Sequence, residues 1–270
     1  EGLEECIDLR DYGNLDTHLE PCRRRLPSEL DSTLEPICKT PGVEAIDRSD
    51  GELSLRVHGL EFARTQAGTI LAGLQSRRSS NTGEVLQLAT ELSRLRSPNA
   101  ADRQNPLYLK NPESWLESQV RNRIEEVDAR LLPSPIYGQV PAFAAADRGV
   151  LDLLAADHGG RLTVLELKAS EDIHLPLQAL DYWMRVKWHL DRREFSANGY
   201  FPGIELLRDP PRLLLISPAL DYHPSNECVL RYISPGIEIE RVGVGLEWQW
   251  GLKVMFRSST RHVCKTFPTY

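Results

Sequence analysis

Three side chains near the middle of the sequence combine the chemistry needed to hold a divalent cation and to activate water. Asp152 is followed, after thirteen residues, by Glu166, and Lys168 stands two positions further on. Carboxylate oxygens are the ligands that Mg²⁺ and Mn²⁺ prefer in proteins. A nearby lysine can orient a bound water and stabilise developing negative charge. This combination is suited to the hydrolysis of phosphodiester bonds.

The two carboxylates can meet only if the segments that carry them are neighbouring strands. Residues 149–156 and 161–169 are predicted strands, and they flank an Asp-His-Gly-Gly sequence at 157–160. Glycine permits the backbone dihedral angles that a tight hairpin turn requires. An antiparallel pair with its turn centred on these glycines puts Asp152 opposite or nearly opposite Glu166, within a few ångströms.

Glu166 and Lys168 lie within a Val-Leu-Glu-Leu-Lys sequence, so apolar residues surround both charges. Side chains alternate along a strand, and these two therefore point to the same side. A solvated ion pair on an exposed strand face is the ordinary explanation of a Glu-x-Lys sequence. Here the apolar surroundings make unpaired charges costly, and two neighbouring carboxylates need a compensating cation. The pattern favours a Mg²⁺ or Mn²⁺ site.

Hydrophobic periodicity predicts the elements that must position these residues. A helix is expected from about residue 113 to 131, with Pro112 suited to its first turn. The further elements expected after it are strands at 137–144, 149–156 and 161–169, a helix at 174–193, a buried strand at 213–216, a helix at 225–233, and strands at 237–244 and 246–256. The order is α-β-β-β-α-β with an added α-β-β, which predicts an α/β domain with a mixed sheet.

The first part of the chain has a different organisation. A β-hairpin is predicted from residues 43–46 and 53–57, and a helix with one apolar stripe from about Thr82 to Leu95, capped by Asn81 or Thr82. Residues 97–112 contain three Asn or Pro breaks, which indicate a connection between domains. We therefore expect an N-terminal α+β domain at 1–105 and a second domain at 106–270, each with its own hydrophobic core.

The spacing of Asp152, Glu166 and Lys168, on strands preceded by a helix, resembles the PD-(D/E)XK nuclease superfamily. The resemblance covers about residues 112–220 and implies a restriction-endonuclease-like core of α-β-β-β-α-β order. It implies that Asp152 and Glu166 bind Mg²⁺ or Mn²⁺ and that Lys168 is the catalytic lysine. Leu151 stands where the family motif often has a proline.

A second motif resembles the RecB-like branch of this superfamily. Gln178 and Tyr182 form a Gln-x-x-x-Tyr sequence, at a spacing that puts both on one face of the predicted helix. The branch implies that Gln178 is directed towards the active site and Tyr182 towards substrate or core. The family also implies an acid from the first core helix. Glu117 is the first candidate and Glu113 the second, the alternative being that both complement the helix dipole.

These features predict a phosphodiester hydrolase acting on nucleic acid, with DNA favoured over RNA. One alternative is a nuclease-fold domain that binds nucleic acid or a protein partner without cutting, although all three core residues are present. Another is a nucleotide-regulated effector nuclease, although the sequence has no glycine-rich phosphate-binding loop. The N-terminal region is expected to place substrate or to mediate assembly with another copy or a partner protein.

Composition sets further limits. The net charge of −7 means that a polyanion would have to be bound by a local basic surface. We expect basic residues of the helices at 113–131 and 174–193 to provide it. Five cysteines without a CxxC pair indicate free thiols and no structural zinc. No apolar stretch approaches the roughly 18 to 20 residues that cross a bilayer, and no signal-peptide pattern is seen, so a cytoplasmic protein is expected.

Overall fold

Two β-sheets with helices packed against them form the described part of the protein. The computed structural model describes residues 17–22, 29–48, 51–143 and 148–259. The helices are α1 (Glu29–Cys38), α2 (Thr82–Leu95), α3 (Pro106–Leu109), α4 (Pro112–Asn122), α5 (Ile124–Val127), α6 (Leu175–Asp191), α7 (Glu194–Ala197) and α8 (Pro224–Leu230). The strands are β1 (Val43–Asp47), β2 (Leu53–Val57), β3 (Leu60–Gln66), β4 (Thr69–Ala72), β5 (Arg78–Ser79), β6 (Tyr137–Phe143), β7 (Arg148–Ala156), β8 (Leu162–Leu167), β9 (Arg212–Pro218), β10 (Ile239–Val244) and β11 (Val254–Ser259).

The N-terminal sheet is an antiparallel meander in which β1 to β5 pair in chain order. The predicted hairpin is confirmed, since Val43 pairs with Val57 across β1 and β2. The predicted helix is confirmed as α2, and the Asn81 side chain accepts a hydrogen bond from Glu84 N at its start. Apolar residues of this sheet, α1 and α2 share one buried cluster.

The larger sheet has six strands in the order β11-β10-β9-β8-β7-β6. Strands β8, β9 and β10 run parallel, whereas β6, β7 and β11 pair antiparallel with their neighbours. Along the chain, α4 is followed by β6, β7 and β8, then α6 and β9. Separate buried clusters contain the apolar residues of α6 and those of α4, each with residues of the sheet. The site residues are thus carried by a sheet covered on both faces.

Two predicted elements of this region are wrong in part. The helix expected to reach residue 131 ends at Asn122, because Arg123 has non-helical angles (φ −137°, ψ 39°), and only the four-residue α5 follows. The strand expected at 246–256 begins at Val254. The residues before it pack on α4 instead: Trp248 meets Trp115 edge to face, and Gln119 Nε2 donates to Gln249 O at 3.3 Å. Burial against a helix therefore replaces strand pairing there.

The connection at 97–112 is anchored to both parts of the chain. The Arg96 side chain is fully buried, and its guanidinium donates to backbone carbonyls of His58, Leu107, Tyr108, Lys110 and Asn111. The His58 ring stacks on Trp115, with ring centroids 4.9 Å apart. These contacts cross residue 105, and the independence of 1–105 and 106–270 stays a prediction.

Cys228 is a free thiol, as predicted, whereas Cys6 and Cys264 lie outside the described residues. No helix in the described ranges is both long and apolar enough to span a membrane.

Candidate active site

The turn between β7 and β8 fixes the register on which the site depends. Asp157 Oδ1 accepts hydrogen bonds from the backbone N–H groups of Gly159 and Arg161, both at 2.9 Å. Gly160 has a φ of +86°, which glycine adopts without strain. The strands pair antiparallel, with Leu153 opposite Leu165. If the register continued by one residue, Asp152 would lie opposite Glu166.

The ladder between β7 and β8 ends at the Leu153–Leu165 pair in the described strands. Beyond this pair the two strands no longer pair with each other, and we call this gap the opening. There Asp152 Oδ2 accepts a 2.8 Å hydrogen bond from Leu167 N. Strand β8 meanwhile stays paired with β9, with Glu166 beside Leu215. Asp152 is therefore held against the segment that carries Glu166 and Lys168.

The Asp152 charge destabilises the charged form of Glu166. Glu166 is only 3% exposed, and its Oε2 has no hydrogen-bond partner among the described residues. Burial, followed by the Asp152 charge, raises the pKa of Glu166 well above its usual range. Burial also raises the pKa of Asp152 to about 7. A metal-free pair of this kind holds protons that a cation would displace.

Lys168 lies at the edge of the same opening, between two further acids. Its backbone N–H donates to Ile216 O at 3.0 Å, which extends the β8–β9 pairing by one residue. Its Nζ lies 3.5 Å from Asp172 Oδ2 and 3.8 Å from Glu113 Oε1. Burial lowers the pKa of Lys168, but the surrounding carboxylates outweigh this effect and raise it. The ammonium is thus charged and held in place.

Asp172 is a site residue that the sequence did not single out. It follows β8, and its carboxylate both faces Lys168 and accepts a 2.7 Å hydrogen bond from His174 N. The buried Asn226 of α8 donates to the Asp172 carbonyl at 3.1 Å and so fixes the connection. In the sequence, the only sign of this role is its position four residues after Lys168. The contact with Asn226 joins segments far apart in the chain, so the sequence pattern does not reveal it.

The two glutamates of α4 take different places. Glu117 is buried, and its charge contributes to the raised pKa of Asp152 after burial itself. Its Oε1 accepts a hydrogen bond from Arg121, one turn further along α4. Glu113 lies beside Lys168 instead. The first candidate acid therefore lies near Asp152 but is paired with an arginine, and the second contacts the lysine.

The Gln-x-x-x-Tyr residues lie on α6 as predicted, with different surroundings. The Gln178 side chain is exposed, and no hydrogen bond from it to Asp152, Glu166 or Lys168 is found among the described residues. Tyr182 is half-buried and packs against the apolar cluster that α6 shares with the sheet. The structure thus places Tyr182 against the core, and the direction implied for Gln178 stays a prediction.

The donor set fits a cation of the Mg²⁺ type. Within the described ranges, no group of three or more His, Cys, Asp or Glu side chains could hold a metal ion. Mg²⁺ in proteins keeps several waters and is held by only one or two carboxylates together with substrate phosphates. Asp152 and Glu166, with the unpartnered Oε2, supply such a pair.

Comparison with known proteins gives one structural likeness. No protein-family model matches the chain, and no curated protein matches it. The structure is similar to the crystal structure of a repair endonuclease from Pyrococcus abyssi, with a TM-score of 0.31 and 14% sequence identity, over 76% of this chain and 67% of that chain. A TM-score of this size does not establish a shared fold, and no function is transferred from it.

The basic residues expected to bind a polyanion are mostly engaged within their own helices. Arg185 pairs with Asp181, and Lys187 pairs with Asp191. The Arg192 guanidinium lies over the ring of Trp188, 3.3 Å from its centroid. A basic surface beside the carboxylates therefore stays a prediction.

Proposed function

We propose that this chain is a Mg²⁺- or Mn²⁺-dependent nuclease of the PD-(D/E)XK type that hydrolyses phosphodiester bonds in DNA. The observation that carries the proposal is the pair of carboxylates at the opening between β7 and β8, of which Glu166 is buried and Asp152 half-buried. Glu166 Oε2 has no described partner there, and the Lys168 ammonium lies at the edge of the opening. A buried acidic pair of this kind is costly unless a cation compensates it.

Each core residue has a role that follows from its contacts. Asp152 and Glu166 would hold the ion, which when bound polarises a phosphoryl oxygen and acidifies a coordinated water. Asp152 is oriented for this by the Leu167 N–H. Lys168, kept charged by Glu113 and Asp172, stabilises negative charge that develops on the phosphate. The three groups together support hydrolysis of a phosphodiester.

The finer assignment follows the RecB-like resemblance. Glu117 would act on the site from α4 through its charge, since it is buried and contributes to the raised pKa of Asp152. Gln178 would contact substrate from the first turns of α6, where it is exposed. Tyr182 would support the helix through its packing on the apolar cluster. DNA is proposed ahead of RNA because the resemblance points to deoxyribonucleases.

A cleavage assay tests the proposal. The purified chain is incubated with linear, circular and single-stranded DNA and with RNA, in Mg²⁺, Mn²⁺ or EDTA. We expect DNA cleavage that EDTA abolishes and that is absent from Glu166→Gln, with Lys253→Met, an exposed lysine, as the matched active control. Binding without cleavage under every condition would contradict the proposal and favour a non-cutting domain. Cleavage of RNA alone would overturn the choice of substrate.

A further inference from the structure

Glu117 and Arg121 form an ion pair on α4 that faces β6 of the larger sheet. Both side chains are largely buried and ion-paired along α4. Arg121 also lies against Gly138 of β6: a Cβ there would overlap Arg121 Nη2 and lie 2.9 Å from Glu117 Oε1. Gly138 pairs with Leu153, the chain neighbour of Asp152. The absence of a side chain at Gly138 therefore lets this pair approach β6, the strand that pairs with β7.

The N-terminal sheet contacts α4 next to the Glu117–Arg121 pair. Glu44 and Arg56 stand directly opposite each other on β1 and β2. Ser118, the residue after Glu117, donates its hydroxyl hydrogen to Glu44 Oε1. Burial lowers the pKa of Arg56, and the Glu117 charge is the largest electrostatic contribution opposing that effect. Charges of the N-terminal sheet therefore act on charges of α4.

The charged side chains between β1, β2 and α4 form a largely buried network of opposite charges, made of Glu44, Arg56, Glu117 and Arg121. Arg56 is 6% exposed and Glu117 5% exposed. Arg121 Nε and Glu44 Oε2 are buried without a hydrogen-bond partner among the described residues, so both depend on the neighbouring charges for compensation. Removing one partner of a buried ion pair is strongly destabilising, because it leaves an uncompensated buried charge.

We infer that Arg56 and Glu44 of the N-terminal sheet are positioning residues for Glu117, acting through Arg121 and Ser118, so that this sheet forms part of the proposed metal site. The inference rests on the proposed function, because it gives Glu117 a place in the acidic set. It assigns the N-terminal sheet a direct part in the site, in addition to any contact with substrate or partner. None of these residues needs to touch nucleic acid for this role.

A double-mutant cycle in the full-length protein tests the inference by metal binding, without any measurement of turnover. Calorimetry gives the Mn²⁺ dissociation constant of the wild type, Glu117→Gln, Arg56→Met and the double variant. Residues that act together give non-additive effects, whereas independent residues add within error. We expect the factor by which Glu117→Gln changes the constant to differ at least about threefold between the wild-type and Arg56→Met backgrounds.

Three controls make the result specific. Arg78→Met makes the same charge change on exposed β5 of the same sheet, and Glu117→Gln should keep its wild-type factor there. Arg56→Lys retains the charge and should restore part of the coupling. If Arg56→Met does not fold, Glu44→Gln replaces it in the cycle, with the same expected non-additivity.

The outcomes separate the inference from the proposed function. Additive effects, with Mn²⁺ binding still abolished by Asp152→Asn, would overturn the role of the N-terminal sheet and leave the nuclease proposal intact. Absence of Mn²⁺ binding in the wild type, or binding unaffected by Asp152→Asn, would overturn both.

Discussion

Asp152 Oδ2 accepts a hydrogen bond from the backbone N–H of Leu167 at 2.8 Å, at the point where β7 and β8 cease to pair. A side chain here takes the place of the next backbone acceptor in the ladder. The bond holds the Asp152 carboxylate beside the residues on either side of Leu167, which are Glu166 and Lys168. The position of the Asp152 carboxylate therefore depends on β7 and β8 ceasing to pair at this point.

Conservative removal of either carboxylate charge should leave the metal-free fold intact. Asp152→Asn keeps an oxygen that can accept from Leu167 N–H, and Glu166→Gln removes one of two buried like charges. In urea unfolding with EDTA present, we expect both variants to be at least as stable as the wild type, while losing Mn²⁺ binding. A loss of stability above about 1 kcal/mol would mean that the carboxylates are structural ion partners.

Asp152 should make the stability of the metal-free protein fall more steeply between about pH 4 and about pH 7 than it does in Asp152→Asn. The folded-state pKa of Asp152 is about 7, above the usual unfolded value of about 3.9, so the folded state binds more protons in this window. Its stabilising contribution is complete below the unfolded pKa and is lost as pH passes the folded pKa. Urea unfolding in EDTA at several pH values measures the slope.

Two controls accompany this pH series. Asp152→Asn should flatten the slope, and saturating Mn²⁺ should do the same, because metal binding requires the carboxylate to be deprotonated already. A wild-type stability that rises between pH 4 and 7 would show that other groups dominate the titration of the fold.

The hairpin that carries Asp152 and Glu166 was predictable because its determinants are local. The glycines of the 157–160 turn and the period of two along the strands fixed the relation of Asp152 to Glu166. The parts that escaped prediction depend on distant segments. Asp172 is held by Asn226, and Glu117 is surrounded by charges from the N-terminal sheet.

The errors in the predicted elements also arise from contacts that the local sequence does not show. The sequence around Trp248 has the composition of a strand, but packing on Trp115 of α4 decides its structure. Helical periodicity continued past Arg123, whereas the chain leaves the helix there. The pattern of Gln178 and Tyr182 predicted a shared helix face, and it could not show that one is exposed and the other packed.

Lys168→Met should reduce turnover with little change in stability. The side chain is held by carboxylates at 3.5 and 3.8 Å at the edge of the opening, where it can act on charge developing in the substrate. Loss of one such preorganised group costs about 10²-fold or more in kcat. Single-turnover cleavage, with Lys253→Met as the exposed matched control, measures the effect. Full activity of Lys168→Met would remove the lysine from the proposed mechanism.

Arg96→Met should destabilise the whole chain. The buried guanidinium donates to several backbone carbonyls of the connection, including those of Leu107 and Asn111, and these would lose their partners. Unsatisfied buried groups each cost about 1 to 3 kcal/mol, so we expect a loss of at least that size in urea unfolding. Arg94→Met, on the same helix, should be nearly neutral. A neutral Arg96→Met would instead support independent folding of residues 106–270.

The central claim is that one divalent cation is shared by Asp152 and Glu166. Anomalous diffraction from crystals soaked in Mn²⁺ tests it directly, because the signal locates the ion without reference to activity. We predict a peak within about 2.0 to 2.6 Å of a carboxylate oxygen from each residue, absent from crystals of Glu166→Gln. A peak bound elsewhere, or none at saturating Mn²⁺ with both side chains ordered, would contradict the account.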